Sequence, residues 1–443
     1  MNKKLVMFLI CLALSIGLVT WLTSLDEKPE EPSRQAAPEA TIAVAEETAA
    51  AEGQPAAEES TVPLLDISEA ELKKMKAEAE AALSCCRDVY QAADKGTASN
   101  VMLSDASIRE LTAELGRNGY SAVDFFGSTD MQNAQAIIDF GNAINAGMDA
   151  QAVYYIVHSN GSIHANNIIY RDGIANTVTV SVKWDDDMQP RVYSSGQHPI
   201  ATIKYTAKGW LILSRDTGDG GLDWAANGNA YTFVRVAPYG DDKRQLAARY
   251  LGELPYSGSN LFTVSWDSSN YGLLDLNSIF ISLYSRYYGT SPLTNDNMQM
   301  ITGFQPVSGT GLHTVPYEQF ETVISNYINI DSDTIRWLAD DSDKYGGYLI
   351  LGSRQEYYNN ITPKVPSPEI TEYWSNSDGS ITMKIDAVYP GYNTDCAFTH
   401  ELTVMDTEDG FKYISNYVYD SESNIFPEQV LTSQRKNEIA SLN

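Results

Sequence analysis

Basic residues are scarce in this 443-residue chain: 30 Lys and Arg stand against 58 Asp and Glu, a formal net charge of −28. A phosphate-backbone binder needs clustered cations to displace counterions, and beyond Lys3 and Lys4 the basic residues come only in short groups such as Lys73, Lys74 and Lys76. The balance argues against nucleic acid as a partner, and equally against adhesion to an anionic lipid face. Cysteine is scarcer still, with only Cys11, Cys85, Cys86 and Cys396. That is no disulfide framework. Cys85 and Cys86 point about 100° apart on a helix, so they are poorly placed to pair with each other. One bridge from either of them to Cys396 stays open, and buried free thiols are the expected state. Catalytic signatures are missing too. His158, His164, His198, His313 and His400 fall in no H-E-x-x-H, and no G-x-S-x-G, Walker A or dinucleotide fingerprint occurs. Cys396 and His400 suggest a thiol and its base, but four residues along a strand is about 13 Å, too far for a hydrogen bond.

What the chain does have begins at its first residues. Lys3 and Lys4 precede LVMFLICLALSIGLVTWLT, residues 5–23, which carries no charge. About 19 residues at 1.5 Å each span roughly 28 Å, close to the hydrocarbon thickness of a bilayer. Trp21 stands where an interfacial aromatic belongs, and Asp26 and Glu27 follow on the far side. The positive-inside rule then puts the N-terminus in the cytoplasm and the remainder outside. A cleaved signal peptide and a lipid on Cys11 are the alternatives, and both lead to the same compartment. Residues 24–62 are dominated by Ala, Glu and Pro and read as a disordered acidic linker, a spacer between membrane and folded mass.

Periodicity changes along the rest. Ser68 and Glu71 have capping-box spacing ahead of Leu72, Met75, Ala79 and Leu83, which predicts a helix to about Ala93. Helices are also predicted after Ser104 and over 130–147. Period-two runs follow: Val153, Tyr155 and Val157, then Val178, Val180 and Val182, then Ile203 and Tyr205, Leu211 and Leu213, and YTFVRV. From Pro238, KRQLAARYLGEL reads as helix, LFTVSW as strand, and LDLNSIFISLYSRYY and VPYEQFETVISNYINI as amphipathic helices. Asp378-Gly379 and Asp409-Gly410 then sit between alternating runs, the strongest short-range hairpin signal. The expected fold is therefore α+β in two units, 63–235 and 236–443, each with helices followed by a curved antiparallel sheet. A cone-like sheet of the nuclear-transport-factor kind suits that element order.

Several stretches are familiar together: RVAPYGDDKRQLAARYLGELPYSGSNLFTVSW, VPYEQFETVISNYINIDSDTIRW, PSPEITEYWSNSDGSITMKIDAVYP, FTHELTV and GFKYISNYV. In these the chain resembles a family of uncharacterised membrane-anchored or secreted proteins from Gram-positive, Clostridia-type gut bacteria. The resemblance implies the same address and brings no reaction, substrate or catalytic residue with it.

Candidate sites come from acids and aromatics. Asp216, Asp219 and Asp223, and Asp341 with Asp343, gather the hard oxygens that calcium takes. No cofactor is otherwise expected. The Asp341 run has Tyr345 and Gly352 where an EF-hand would place ligands, and Asp331 and Asp333 serve more simply as a helix cap. Trp210, Trp224 and Trp266, with Tyr271, Tyr357 and Tyr358, are candidates for stacking on a sugar. The expected function is a non-catalytic binding or assembly module of the cell surface, its partner a surface protein or glycan. The alternative is a cell-envelope hydrolase whose carboxylates converge only in the fold.

Overall fold

The computed structural model describes residues 62–95, 101–125, 127–215, 231–252, 254, 256, 258–290, 292, 304–352, 366–427 and 429–442. The expected anchor and nearly all of the linker lie outside them. No helix among the described residues is long and apolar enough to cross a membrane. Asn176, fully buried, fastens the start of the described chain. Its amide donates to Pro63 O at 3.2 Å, and its carbonyl accepts from Leu65 N at 3.0 Å and from Gln197 Nε2 at 2.7 Å.

Helix α1 (Glu69–Cys85) opens on the predicted capping box, with Ser68 Oγ accepting from Glu71 N and the Glu71 carboxylate accepting from Ser68 N. It is followed by α2 (Arg87–Ala92), α3 (Asp105–Arg117), strand β1 (Ala122–Asp124) and α4 (Gln135–Asn145). The expected 130–147 helix is shorter because Gln132 pairs with Ala122 through both backbone groups. Strands β2 (Ala150–Val157), β3 (Ile163–Arg171), β4 (Ile174–Trp184), β5 (Pro190–Tyr205), β6 (Trp210–Arg215) and β7 (Tyr231–Arg235) complete a curled sheet in the order β1 to β7. Among the described residues of this sheet, β1 and β2 pair in parallel and the other neighbours pair antiparallel.

The alternation Val153, Tyr155, Val157 predicted one buried face. Both faces are covered. Tyr155 and Val157 join the core under α1–α3, whereas Tyr154 points the other way into a second core with Phe140 of α4.

The later half departs from helices first and sheet second. Helix α5 (Asp241–Leu246) widens into a π-turn, Ala247–Leu251, and α6 (Leu276–Tyr288) precedes β8 (Gln305–Pro306) and β9 (Leu312–Pro316). Then come α7 (Tyr317–Tyr327), α8 (Ser332–Leu338), β10 (Asp341–Ser342) and β11 (Gly347–Leu351). The two hairpins follow as β12 (Ser367–Ser375) with β13 (Ile381–Val388), and β14 (Thr399–Thr407) with β15 (Gly410–Val418), before α9 (Val430–Ala440). These strands form two four-stranded sheets, β10-β11-β9-β8 and β12-β13-β14-β15, around one large core. LFTVSW is not a strand. Trp266 Nε1 folds back onto Leu261 O at 2.8 Å, so its alternating apolar residues fill an aromatic core instead of a ladder. Cys85, Cys86 and Cys396 are all free, and Cys396 is exposed, contrary to the expected burial.

Arg435 clamps α9 to the start of α6. Its guanidinium contacts Asp275, the residue capping α6, and Asp340 at 2.9 Å. The Arg435 side chain is 4% exposed and that of Asp275 10%, so removing one member strands the other charge. Arg435→Ala should therefore cost about 3 kcal/mol. Hydrogen exchange should show α9 and the first turn of α6 losing protection together; an unchanged denaturation midpoint would rule the clamp out.

Candidate functional site

The β12–β13 pairing shifts register between Ile370 and Glu372, leaving Thr371 as a bulge. Glu369 and Glu372 are three apart and would face opposite sides of a regular strand. The bulge turns both to one side: Glu369 pairs with Asp386 and Glu372 with Lys384, two residues apart on β13. Across from them stand Lys208, Arg235 and Lys243, so that the two walls enclose a cleft of about 480 Å³. Lys208 is presented by a tight turn that requires glycine. Gly209 has φ +88°, and a Cβ there would lie 2.2 Å from the Cβ of Ala237.

The carboxylates in the cleft are already engaged. Asp386 takes Lys208 Nζ on Oδ2 and Thr399 Oγ1 on Oδ1 at 2.6 Å, and Lys208 also donates to Asp395 O at 3.0 Å. Glu369 accepts the indole N–H of Trp210 on Oε2. Its Oε1 lies 2.9 Å from Arg235 Nη1, a contact that is an ion pair and not a directed hydrogen bond. Arg235 lies over the rings of Trp210 and Tyr239, at 5.8 and 5.6 Å. Glu369 is 4% exposed, and burial pushes its carboxyl above the ordinary range, against the opposing pull of Trp210, Arg235 and Lys208. An indole donor on one oxygen and a guanidinium beside the other favour its charged form against that burial.

The remaining charges are differently placed. Lys243 Nζ donates to Thr371 O at 2.7 Å, and Lys384 Nζ sits 5.5 Å above the Tyr419 ring. Neither makes an ion pair among the described residues. Glu372 is exposed. With Lys208 offset by Asp386 and Arg235 by Glu369, two ammonium groups face one carboxylate.

Of the residues singled out in the sequence, Trp210 borders this cleft through Glu369. Trp266 is 3% exposed and belongs to the core, and Tyr271 donates to Asn329 O at 2.7 Å. Asp341 and Asp343 are exposed around β10, with Asp341 accepting from Tyr317 OH at 3.4 Å. Asp331 caps α8 through Thr334 N at 2.8 Å, as its position implied. Asp216, Asp219, Asp223, Trp224, Tyr357 and Tyr358 lie outside the described residues. Among those described, no three His, Cys, Asp or Glu side chains are grouped to hold a metal ion. Sequence reading missed Lys208, Arg235, Lys243, Glu369, Lys384 and Asp386. The register implied by Asp378-Gly379 would have paired the strands carrying the acids, but the bulge that aims Glu369 has no local signature.

The chain matches the family of unknown function DUF6070 over residues 72–432. It belongs to that family. The match takes in both walls of the cleft and begins inside α1. No curated protein and no solved structure matches the chain. The resemblance to an uncharacterised family therefore holds at that level.

Proposed function

We propose that this DUF6070 protein is an extracytoplasmic binding module of a Gram-positive bacterial surface, held by a single N-terminal membrane span, whose cleft takes up an anionic group. The observation that carries the binding role is the charge arrangement. The oxygens of Glu369 and Asp386 are all occupied by Trp210, Arg235, Lys208 and Thr399, while Lys243 has the Thr371 carbonyl and the Tyr239 ring, Lys384 has the Tyr419 ring, and neither makes an ion pair among the described residues. An incoming carboxylate or phosphate would gain charge-assisted hydrogen bonds from both ammonium groups. The net charge of −28 does not forbid this, because at physiological salt the field of distant acids is screened beyond about 8 Å. The hydrolase alternative needs one free acid and one free base, and occupied carboxylates weigh against it. Two α+β units, 63–235 and 236–443, the first with a cone-like sheet, are part of the same proposal. Strands β1 to β7 all falling before residue 236 support that division.

Calorimetry on the full chain in mild detergent tests the cleft with galacturonic acid as an anionic probe and galactose as its neutral counterpart. The acid should bind and galactose should not. Lys243→Ala and Lys384→Met should each weaken the acid about tenfold, roughly 1.4 kcal/mol, with little change in melting temperature. Unchanged affinity in the double variant would sink the reading. Hydrolysis of a glycan or peptide, lost on Glu369→Gln, would replace it with the enzyme. Protease added to intact cells should cut the chain, and full protection would contradict the address.

A further inference from the structure

The sheet β12-β13-β14-β15 has one face in the core and one open. Met383, Ile385, Leu402, Val404 and Tyr413 are fully buried on the first. Register places two rows across the second: Glu372, Lys384, Glu401 and Tyr417, then Trp374, Thr382, Thr403 and Ser415. Neither row contains an aliphatic side chain, yet Tyr417 is 55% exposed, Trp374 39% and Tyr419 37%. A dry protein interface concentrates apolar groups at its centre. Here large rings alternate with hydroxyls and charges.

The rings are held. Tyr419 donates its phenol to Glu401 Oε1 at 2.5 Å and lies beneath Lys384 Nζ. Tyr417 stands 5.2 Å from it, edge on, at 76°. Beside them Thr382 and Thr403 share a hydrogen bond of 3.0 Å, and Asn376 donates to Thr382 at 2.9 Å. Rings fixed before a ligand arrives lose little rotamer freedom on binding. A pyranose presents just the complement, a C–H face for an aromatic ring and hydroxyls at its rim for Thr, Ser and Glu.

This face is continuous with the cleft, since Glu372 and Lys384 belong to both. We propose that the open face of β12–β15 is a saccharide-stacking platform and that its occupant is an acidic glycan chain, one carboxylate in the cleft and neighbouring rings on Tyr417, Tyr419 and Trp374. The proposal rests on the anion-binding cleft and adds the polymer to it.

Calorimetry on the full chain in mild detergent separates the two, using galacturonic acid, oligogalacturonate and the methyl-esterified oligomer. The oligomer should bind at least tenfold more tightly than the monomer, and the ester should lose most of that affinity. Tyr417→Ala should weaken the oligomer at least tenfold and leave the monomer unchanged, whereas Tyr419→Ala, which also removes the ring beneath Lys384, should weaken both. Trp374→Ala should weaken the oligomer as well, with melting temperatures confirming intact folds. Equal affinities for monomer and oligomer, or an oligomer indifferent to all three ring substitutions, would overturn the platform while leaving the cleft in place. An ester binding as well as the acid would overturn the charged anchor instead. No binding of either acid at millimolar concentration would overturn both.

Discussion

Glu369→Ala should destabilise the folded protein by about 3–5 kcal/mol, read as a lowered denaturation midpoint. The substitution removes the charge partner of Arg235, whose side chain is mostly buried over Trp210 and Tyr239, and it strands the indole N–H of Trp210. Breaking a buried pair from one side costs far more than the pair contributes, because the survivor is left uncompensated. Glu369→Gln should cost less, since its amide oxygen still accepts from Trp210. Adding Arg235→Met to Glu369→Ala should recover much of the loss; a double variant as unstable as the sum would mean that the two residues act independently. The pH response has a definite sign. Folding raises the Glu369 carboxyl above its ordinary value, so between those two values the folded state holds the proton more firmly than the unfolded one. Its contribution to stability is therefore present at acid pH and is lost as pH rises through that window.

His400→Ala should cost about 3–5 kcal/mol, from the cavity it leaves and from two orphaned polar groups. His400 is fully buried between Tyr256 and Asn416. Asn416 spends its amide N–H on Val264 O at 2.8 Å, which turns its carbonyl oxygen toward His400 Nδ1 at 2.6 Å. Nδ1 must then carry the proton, and Nε2 accepts from Tyr256 OH at 3.0 Å. The neutral tautomer is thus fixed by its neighbours. Burial pushes the imidazole down to about 4 from its ordinary 6.5. Above pH 6.5 the ring is neutral in both folded and unfolded chains and has no pH effect. Below it the unfolded chain takes up the proton first, so stability falls as pH drops from about 6.5 to about 4, by an amount on the order of 3 kcal/mol. His158 acts in the same direction, lowered to about 4 by burial and then by the His164 ring 4.0 Å away. Over the range in which Glu369 acts the other way, the histidines should dominate, and melting temperature should rise from pH 4 to 6.5. A melting temperature flat over that range, with His400 intact, would refute the buried neutral ring.

The features legible in the sequence are those set within a few residues. Ser68 with Glu71, Ser104 before α3 and Asp331 before α8 each satisfy orphan N–H groups at a helix start, and all three do so here. Asp378-Gly379 and Asp409-Gly410 fall in the turns between β12 and β13 and between β14 and β15. Where the reading failed, a distant partner outweighed the local pattern. LFTVSW carries strand chemistry, but its rings were claimed by a core that includes Tyr256, His400 and Tyr413. Trp210 and Trp266 looked alike as exposed stacking candidates, and only their surroundings separate a cleft wall from a core.

The sequence by itself determined the helix caps, the hairpin turns, the α+β character and the excess of acid, because each depends on contacts within a turn or on composition alone. Tertiary structure alone decided the cleft. Lys208 meets Asp386 across 178 positions and Trp210 meets Glu369 across 159, separations over which no periodicity carries information. It also decided which carboxylates are spent on internal cations and which ammonium groups in the cleft make no ion pair among the described residues. That outcome turns on one bulged residue, Thr371, whose extra step rotates Glu369 and Glu372 onto the same face.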